Sequence, residues 1–165
     1  TFLFLSELIH DAQRAKRMGI TFAKPQIDLK ALREWKASVI DTMANGLVSL
    51  SKRRGVQLLQ GRAQFESSET ARLYDCEVSH MKFRHAIIAT GSRPIAFPGT
   101  EFKPGGRIMS STGALALADV PQNLLIIGGG YVGLELCTVS AALGSRVSLV
   151  ELSDRLLPGV DSDLV

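Results

Sequence analysis

Asn123-Leu124-Leu125-Ile126-Ile127-Gly128-Gly129-Gly130-Tyr131-Val132-Gly133-Leu134-Glu135 is the stretch on which the fold turns. Its first five residues end in four consecutive apolar ones and read as a strand. Glycines at 128, 129, 130 and 133 then break the strand. Beyond them Val132, Leu136, Val139 and Leu143 recur at spacings of 4, 3 and 4, which predicts a helix to about Leu143. Gly144 is placed to end it. Arg146 to Val150 reads as a second strand, and Glu151 stands at its end. The order strand, glycine turn, helix, strand is a βαβ unit, in which the two strands run parallel.

The turn contains G-x-G-x-x-G, with an acid 18 residues beyond its last glycine. A lone glycine motif is a weak signal, and a glycine-rich turn without any ligand remains the plain alternative. Strand, helix, second strand and acid together supply the context of dinucleotide binding. Gly128 permits the tight turn, Gly130 lets the backbone approach a pyrophosphate, and Gly133 allows close helix–strand packing. The helix N-terminus offers free N–H groups and partial positive charge to phosphates. Glu151 can accept hydrogen bonds from a ribose diol and would repel a 2′-phosphate, which favours NAD(H) over NADP(H). Arg146 opens the second strand at its far end, and Arg155 is within reach of a cofactor but reads equally as a surface charge.

Upstream, Leu5, Leu8, Ile9 and Ala12 follow helical spacing, and Gly19 is a stop. Ile20 to Ile27, containing Pro25, reads as a loop. Asp28 is an N-cap for a longer helix whose apolar positions are Leu32, Trp35, Val39, Met43, Leu47 and Leu50. That helix closes on Lys52-Arg53-Arg54 and Gly55. The basic run suits a helix C-terminus and needs no nucleic acid to explain it. Strands are expected at Val56 to Gln60, Ala63 to Phe65, Arg72 to Tyr74 and Glu77 to Phe83, the last three as a meander. His85 to Thr90 reads as a strand buried on both faces. Ser111 or Thr112 is expected to cap a short helix through Ala118.

The composition is that of a globular protein. The 165 residues are 45% hydrophobic and 21% charged, with a net charge of +3. Disordered, collagen-like and disulfide-framework classes are excluded. Two cysteines, Cys76 and Cys137, lack redox-motif spacing and read as free buried thiols, which points to a reducing, cytoplasmic setting. His10, His80 and His85 have no ligand-like spacing, so no metal is expected. No apolar run is long enough to span a bilayer, and the small excess of Lys and Arg over Asp and Glu is weak evidence for nucleic acid, so neither a membrane nor a nucleic-acid partner is expected.

A wider pattern joins these parts. His85-Ala86-Ile87-Ile88-Ala89-Thr90-Gly91-Ser92-Arg93-Pro94 resembles the strand and turn that precede the NAD(P) motif in the two-dinucleotide flavoprotein disulfide reductases. Gly128 to Glu135, Val150-Glu151 and Asp154-Arg155-Leu156-Leu157-Pro158-Gly159 resemble the dihydrolipoamide-oxidising members most closely. The two leading helices, Gly61 to Phe65 and the meander also fit, so the resemblance covers essentially the whole chain.

The resemblance implies an α/β architecture: a partial FAD-binding domain over residues 1–118, then the start of a Rossmann-type NAD-binding domain over residues 119–165. It implies FAD and NAD as cofactors, and as substrate dihydrolipoamide carried on the lipoyl domain of a 2-oxo acid dehydrogenase complex. Dihydrolipoamide would reduce an active-site disulfide, a thiolate would pass electrons to FAD, and NAD⁺ would receive hydride. It also implies a homodimer. Ala63 and the Thr90-Gly91-Ser92 turn would contact FAD through their backbone. Gly128, Gly129, Gly130, Tyr131, Val132, Gly133, Leu134, Glu135 and Glu151 would hold NAD. Tyr131 would cover the nicotinamide pocket, and Glu135 would lie near the flavin and pair with a lysine that this chain does not contain. Without the resemblance, Tyr131 is a half-exposed helix-start residue and Glu135 an ordinary first-turn acid.

Three family features are absent from these residues: the FAD-binding G-x-G-x-x-G, the C-x₄-C redox pair and the acid–base His-Glu pair. An internal piece of a longer enzyme is therefore expected. Glutathione or mercuric reductases and flavin transhydrogenases are the alternatives within the class, and a non-catalytic dinucleotide-binding module is the alternative outside it. The purified 165-residue chain is expected to be colourless and to lack lipoamide-dependent NADH oxidation. Stoichiometric flavin in its visible spectrum, or turnover that survives replacement of both Cys76 and Cys137 by Ser, would contradict this.

Overall fold

A computed structural model describes residues 1–165, and the chain divides into two compact units. One comprises Thr1–Ile40 and Pro94–Val165, the other Asp41–Arg93. The elements are α1 (Phe2–Arg14), α2 (Leu29–Arg53), β1 (Arg62–Phe65), β2 (Thr70–Tyr74), β3 (His80–Lys82), α3 (Ser111–Ala116), β4 (Asn123–Ile127), α4 (Tyr131–Ala142) and β5 (Arg146–Val150). Short 3₁₀ turns follow α1 at Ala15–Met18 and close the chain at Ser162–Leu164. No helix is long and apolar enough to cross a membrane.

In the first unit β4 and β5 pair in parallel, from Asn123 opposite Arg146 to Ile127 opposite Val150. Both strands run as the apolar pattern predicts. Residues at alternate positions are half-buried, while Leu125, Ile127 and Val150 lie exposed. The alternation shows that only one sheet face is covered. Phe2 of α1, Leu32 of α2, Leu117 after α3 and Val139 of α4 form the buried core, with Leu5, Ile27, Leu29, Val120 and Leu143 packed around it. Gly19 takes the left-handed conformation (φ 84°) beyond the first helix, as expected of a glycine stop.

The start of α2 is fixed by Asp28, whose Oδ1 accepts from the N–H groups of Lys30 (2.8 Å) and Ala31 (3.1 Å). These are among the donors that a helix start leaves without intrahelical partners. From α2, Arg33 donates to the Leu117 carbonyl (2.9 Å) and Lys36 to that of Leu115 (2.7 Å). The two cations thus satisfy the carbonyl end of α3, and Lys36 also lies 5.4 Å from the centre of the Phe2 ring.

In the second unit β1, β2 and β3 form an antiparallel meander, with Arg62 opposite Tyr74 and Arg72 opposite His80. Phe65 and Phe83 meet edge to face at 5.6 Å.

Four expectations need correction. His85 to Thr90 forms no strand, and Ile87 is 94% exposed. Val56 to Gln60 forms none either. A strand of the inner parallel kind exists only through ladder partners on its edges, and no strand of this chain pairs with either segment. The short helix is capped by Ser110, whose Oγ accepts from Gly113 N–H at 3.2 Å, and it ends at Ala116. Finally, the apolar stripe of α2 is buried only at Leu32, while Trp35, Met43, Leu47 and Leu50 are exposed.

The Asp28 cap gives a direct test. Asp28→Ala should lower unfolding free energy by about 1 kcal/mol. Denaturant titration would measure it, and Asp28→Asn should recover most of the loss because its side-chain oxygen can accept the same bonds.

Candidate functional site

The glycine turn begins where the ladder stops. Gly128 N–H donates to the Val150 carbonyl at 2.8 Å, and Gly128 then takes φ 108°, a value closed to most side chains. Gly130 is the N-cap of α4 and no side chain caps it. The first intrahelical bond runs from Leu134 N–H to the Gly130 carbonyl (3.0 Å). The N–H groups of Tyr131, Val132 and Gly133 therefore lie ahead of the helix ladder and face its open end.

A Cβ built on Gly133 would stand 2.0 Å from the Gly128 carbonyl oxygen. One built on Gly130 would meet nothing within 4 Å. The motif's glycines thus serve different ends. Gly133 lets α4 seat on the turn, and Gly130 leaves open space in front of it. A pyrophosphate fits such a cradle, which combines free N–H groups, the positive helix end and no obstructing side chain.

Glu151 closes one side of the turn. Gly129 N–H donates to its Oε2 (2.6 Å), and Ser153 N–H donates to its Oε1 (2.9 Å). The Ser153 hydroxyl lies 2.9 Å from the same Oε1 and 2.8 Å from the Arg155 carbonyl oxygen. The Ser153 N–H, the Gly129 N–H and the Ser153 hydroxyl, in that order, hold the carboxyl down to about 2 from its ordinary 4.5. Glu151 is thus charged throughout the neutral range. Because its folded value is depressed, these bonds contribute full stability above about 4.5, and the contribution fades as pH falls towards 2.

The loop after β5 folds back over the turn. Leu157 N–H donates to the Gly129 carbonyl (2.9 Å), with Leu157 itself at φ 50°. Leu156 Cδ2 would lie 2.7 Å from a Cβ on Gly129. The Gly129 residue is held through its N–H and its carbonyl. This clamp of Ser153, Leu156 and Leu157 is not signalled by the glycine motif. Its one trace in the sequence is a serine two positions after the acid, close enough for a local side-chain to backbone bond.

The remaining candidates sort by position. Tyr131 is 72% exposed at the mouth of the turn. Val132 and Glu135 are also exposed on α4, and Leu134 is half-buried. Arg146 begins β5, about 16 Å along the strand from Glu151. A shallow concavity lined by Asn123, Leu125, Arg146 and Ser148 lies at that end too, opposite to the strand ends where open α/β sheets bind ligands. Arg155 is exposed and forms no ion pair. In the other unit, Ala63 lies in edge strand β1, and Thr90, Gly91 and Ser92 form an exposed irregular segment with Gly91 at φ 70°. The structure brings the glycine turn and Glu151 together within one unit and leaves the four flavin candidates in the second.

Cys76 and Cys137 are free and half-buried rather than fully buried, and burial pushes the Cys137 thiol up. A raised value leaves less thiolate, the opposite of what a redox thiol needs.

The family model for pyridine nucleotide-disulphide oxidoreductases matches residues 4–165. The chain belongs to this family. Among curated family relatives, the chain is 45% identical over 168 residues to dihydrolipoyl dehydrogenase 2 of Haloarcula marismortui, covering 96% of this chain and 34% of that protein. It is 42% identical over 165 residues to the dihydrolipoyl dehydrogenase of Haemophilus influenzae, covering 99% and 34%. It thus spans about a third of the length of the curated relatives it matches. The crystal structure of LpdA from Mycobacterium tuberculosis superposes with a TM-score of 0.79 at 24% identity, over 98% of this chain and 36% of that one. The mixed fold with its parallel βαβ unit is therefore that of the family.

The two key glycines make opposite predictions for alanine. Gly133→Ala should destabilise the protein by about 3 kcal/mol or more, since the methyl meets backbone that cannot swing aside. Gly130→Ala should cost at most about 1 kcal/mol, the ordinary penalty at an N-cap. Thermal or denaturant unfolding of both variants would check the contrast.

Proposed function

We propose that this chain is an internal piece of a dihydrolipoyl dehydrogenase, comprising part of its FAD-binding domain, residues 1–118, and the start of its NAD-binding domain, residues 119–165. The observation that carries the reading is the pairing of an open, uncapped helix start at Gly130 with a charged carboxylate held against the same turn. The family membership and the names of the relatives support it.

In this reading the N–H groups at the start of α4 receive the pyrophosphate of NAD in the space before Gly130. Glu151 accepts from the adenosine ribose diol. Tyr131, exposed at the mouth, covers the nicotinamide side. Gly129, Val132, Gly133 and Leu134 shape the turn, and Glu135 faces the flavin side. The backbone of Ala63 and of Thr90-Gly91-Ser92 contributes to FAD binding. β1 suits this because one edge of an outer strand keeps its backbone groups free. When bound, FAD and NAD⁺ supply the two-electron relay between a dithiol and a nicotinamide. This chain's own residues bind and orient, and neither Cys76 nor Cys137 serves as the redox pair.

The proposed substrate is dihydrolipoamide on the lipoyl domain of a 2-oxo acid dehydrogenase complex, and the proposed assembly is a homodimer in the cytoplasm.

At its full natural length the protein should prefer NAD(H) to NADP(H). Glu151→Ala should weaken NAD⁺ binding roughly tenfold to a hundredfold, the worth of hydrogen bonds to a charged group. Steady-state kinetics with both cofactors test this, and equal or better use of NADP(H) by the unmutated protein would reject the reading.

A further inference from the structure

The buried core of the first unit draws on both sides of the proposed boundary at residue 118. Phe2 of α1, Leu32 of α2 and Leu117 come from the flavin side, and Val139 of α4 comes from the NAD side. Apolar burial of this kind is non-directional. It holds the parts together and leaves their angle to groups that have direction.

Two such groups stand on α2. Arg33 donates to the Leu117 carbonyl at 2.9 Å, and Lys36 donates to the Leu115 carbonyl at 2.7 Å. Both are charge-assisted bonds, stronger than neutral ones. Leu117 itself sits at φ 49°, in the left-handed region that side chains rarely adopt. Such a residue keeps its conformation only where its surroundings dictate it. Its N–H donates to the Ala114 carbonyl, its side chain is buried in the core, and its carbonyl is held by Arg33.

The segment that follows is tied at several points. Residues 118–122 lead straight into β4. Val120 packs on the core, the Pro121 carbonyl accepts from the Ser145 hydroxyl at 2.6 Å, and the Gln122 carbonyl accepts from Arg146 N–H at 2.9 Å. A rotation at Leu117 is therefore carried into β4, whose far end is the glycine turn.

We propose that Arg33 and Lys36 are positioning residues for hydride transfer between flavin and nicotinamide: by holding the carbonyl end of α3 from α2, they fix the direction in which β4 carries the NAD turn away from the flavin-binding part. This rests on the FAD and NAD reading given above. The two bonds go to α3 and not to the glycine turn or Glu151, so they govern the rate of transfer and not the affinity of the turn.

The test mixes full-length, flavin-loaded protein with NADH under anaerobic conditions. Flavin absorbance then gives both the limiting reduction rate and the NADH Kd. Arg33→Met and Lys36→Met keep an apolar stem and remove the donor. Each should lower the limiting rate about tenfold, as a small misplacement of reacting groups does, and leave Kd unchanged. Lys36→Arg, which keeps the cation, should restore the rate. Hydrogen exchange measured without NADH should quicken across α3 and residues 117–127 in both Met variants. Each single variant keeps the other bond, so one tie to α3 remains. A lower melting temperature with an unchanged limiting rate would reduce the pair to fold support and overturn the proposal. A rise in Kd that accounts for the whole loss, or unchanged exchange in that segment, would overturn it too. If NADH fails to reduce the flavin of the unmutated protein, the cofactor reading itself falls and takes the proposal with it.

Discussion

Backbone touches backbone where α4 meets the glycine turn, and the candidate site hangs on that contact. With a Cβ at Gly133 only 2.0 Å from the Gly128 oxygen, any side chain there would lift the helix from the strand. Seated as it is, α4 starts directly beyond the end of β4, and its first N–H groups open onto the space before Gly130. The β5 strand then brings Glu151 alongside the same turn, because the parallel register places Val150 opposite Ile127. One close approach thus sets the helix, the open space before its first N–H groups and the distance to the acid.

Local pattern was legible in the residues where the structure's partners are local or lie within the unit. The strands β4 and β5, the cap at Asp28 and the stops at Gly19, Gly55 and Gly144 depend on periodicity and on a few neighbouring groups. The segments 85–90 and 56–60 carry equally good strand patterns and form no strand, because pairing is a property of two segments. Their residues lie exposed, and none of the strands of this chain pairs with them. The same holds for the outer stripe of α2, where Met43 and Leu47 keep helical spacing and lie in solvent.

Within the candidate site, the divide falls between the motif and its support. The three glycines and Glu151 occupy spacings that a pattern can capture. The clamp does not, because Ser153 acts through a bond two residues back and Leu157 through a positive φ that its leucine side chain gives no reason to expect. Gly129 is the instructive case. The motif treats its position as free, yet a Cβ there would press on Leu156 Cδ2 at 2.7 Å and on Glu151 Oε2 at 3.2 Å.

The uncovered sheet face has a thermodynamic consequence. Leu125, Ile127 and Val150 keep half or more of their surface in water on the side of β4 and β5 away from α4. Whatever layer covers them engages them only when the two strands are paired and in register. By mass action, such a cover draws the population towards the folded βαβ unit in proportion to its own occupancy. The unit's stability is therefore not an intrinsic constant but a linked equilibrium, and the turn that depends on it gains rigidity from a surface it never touches.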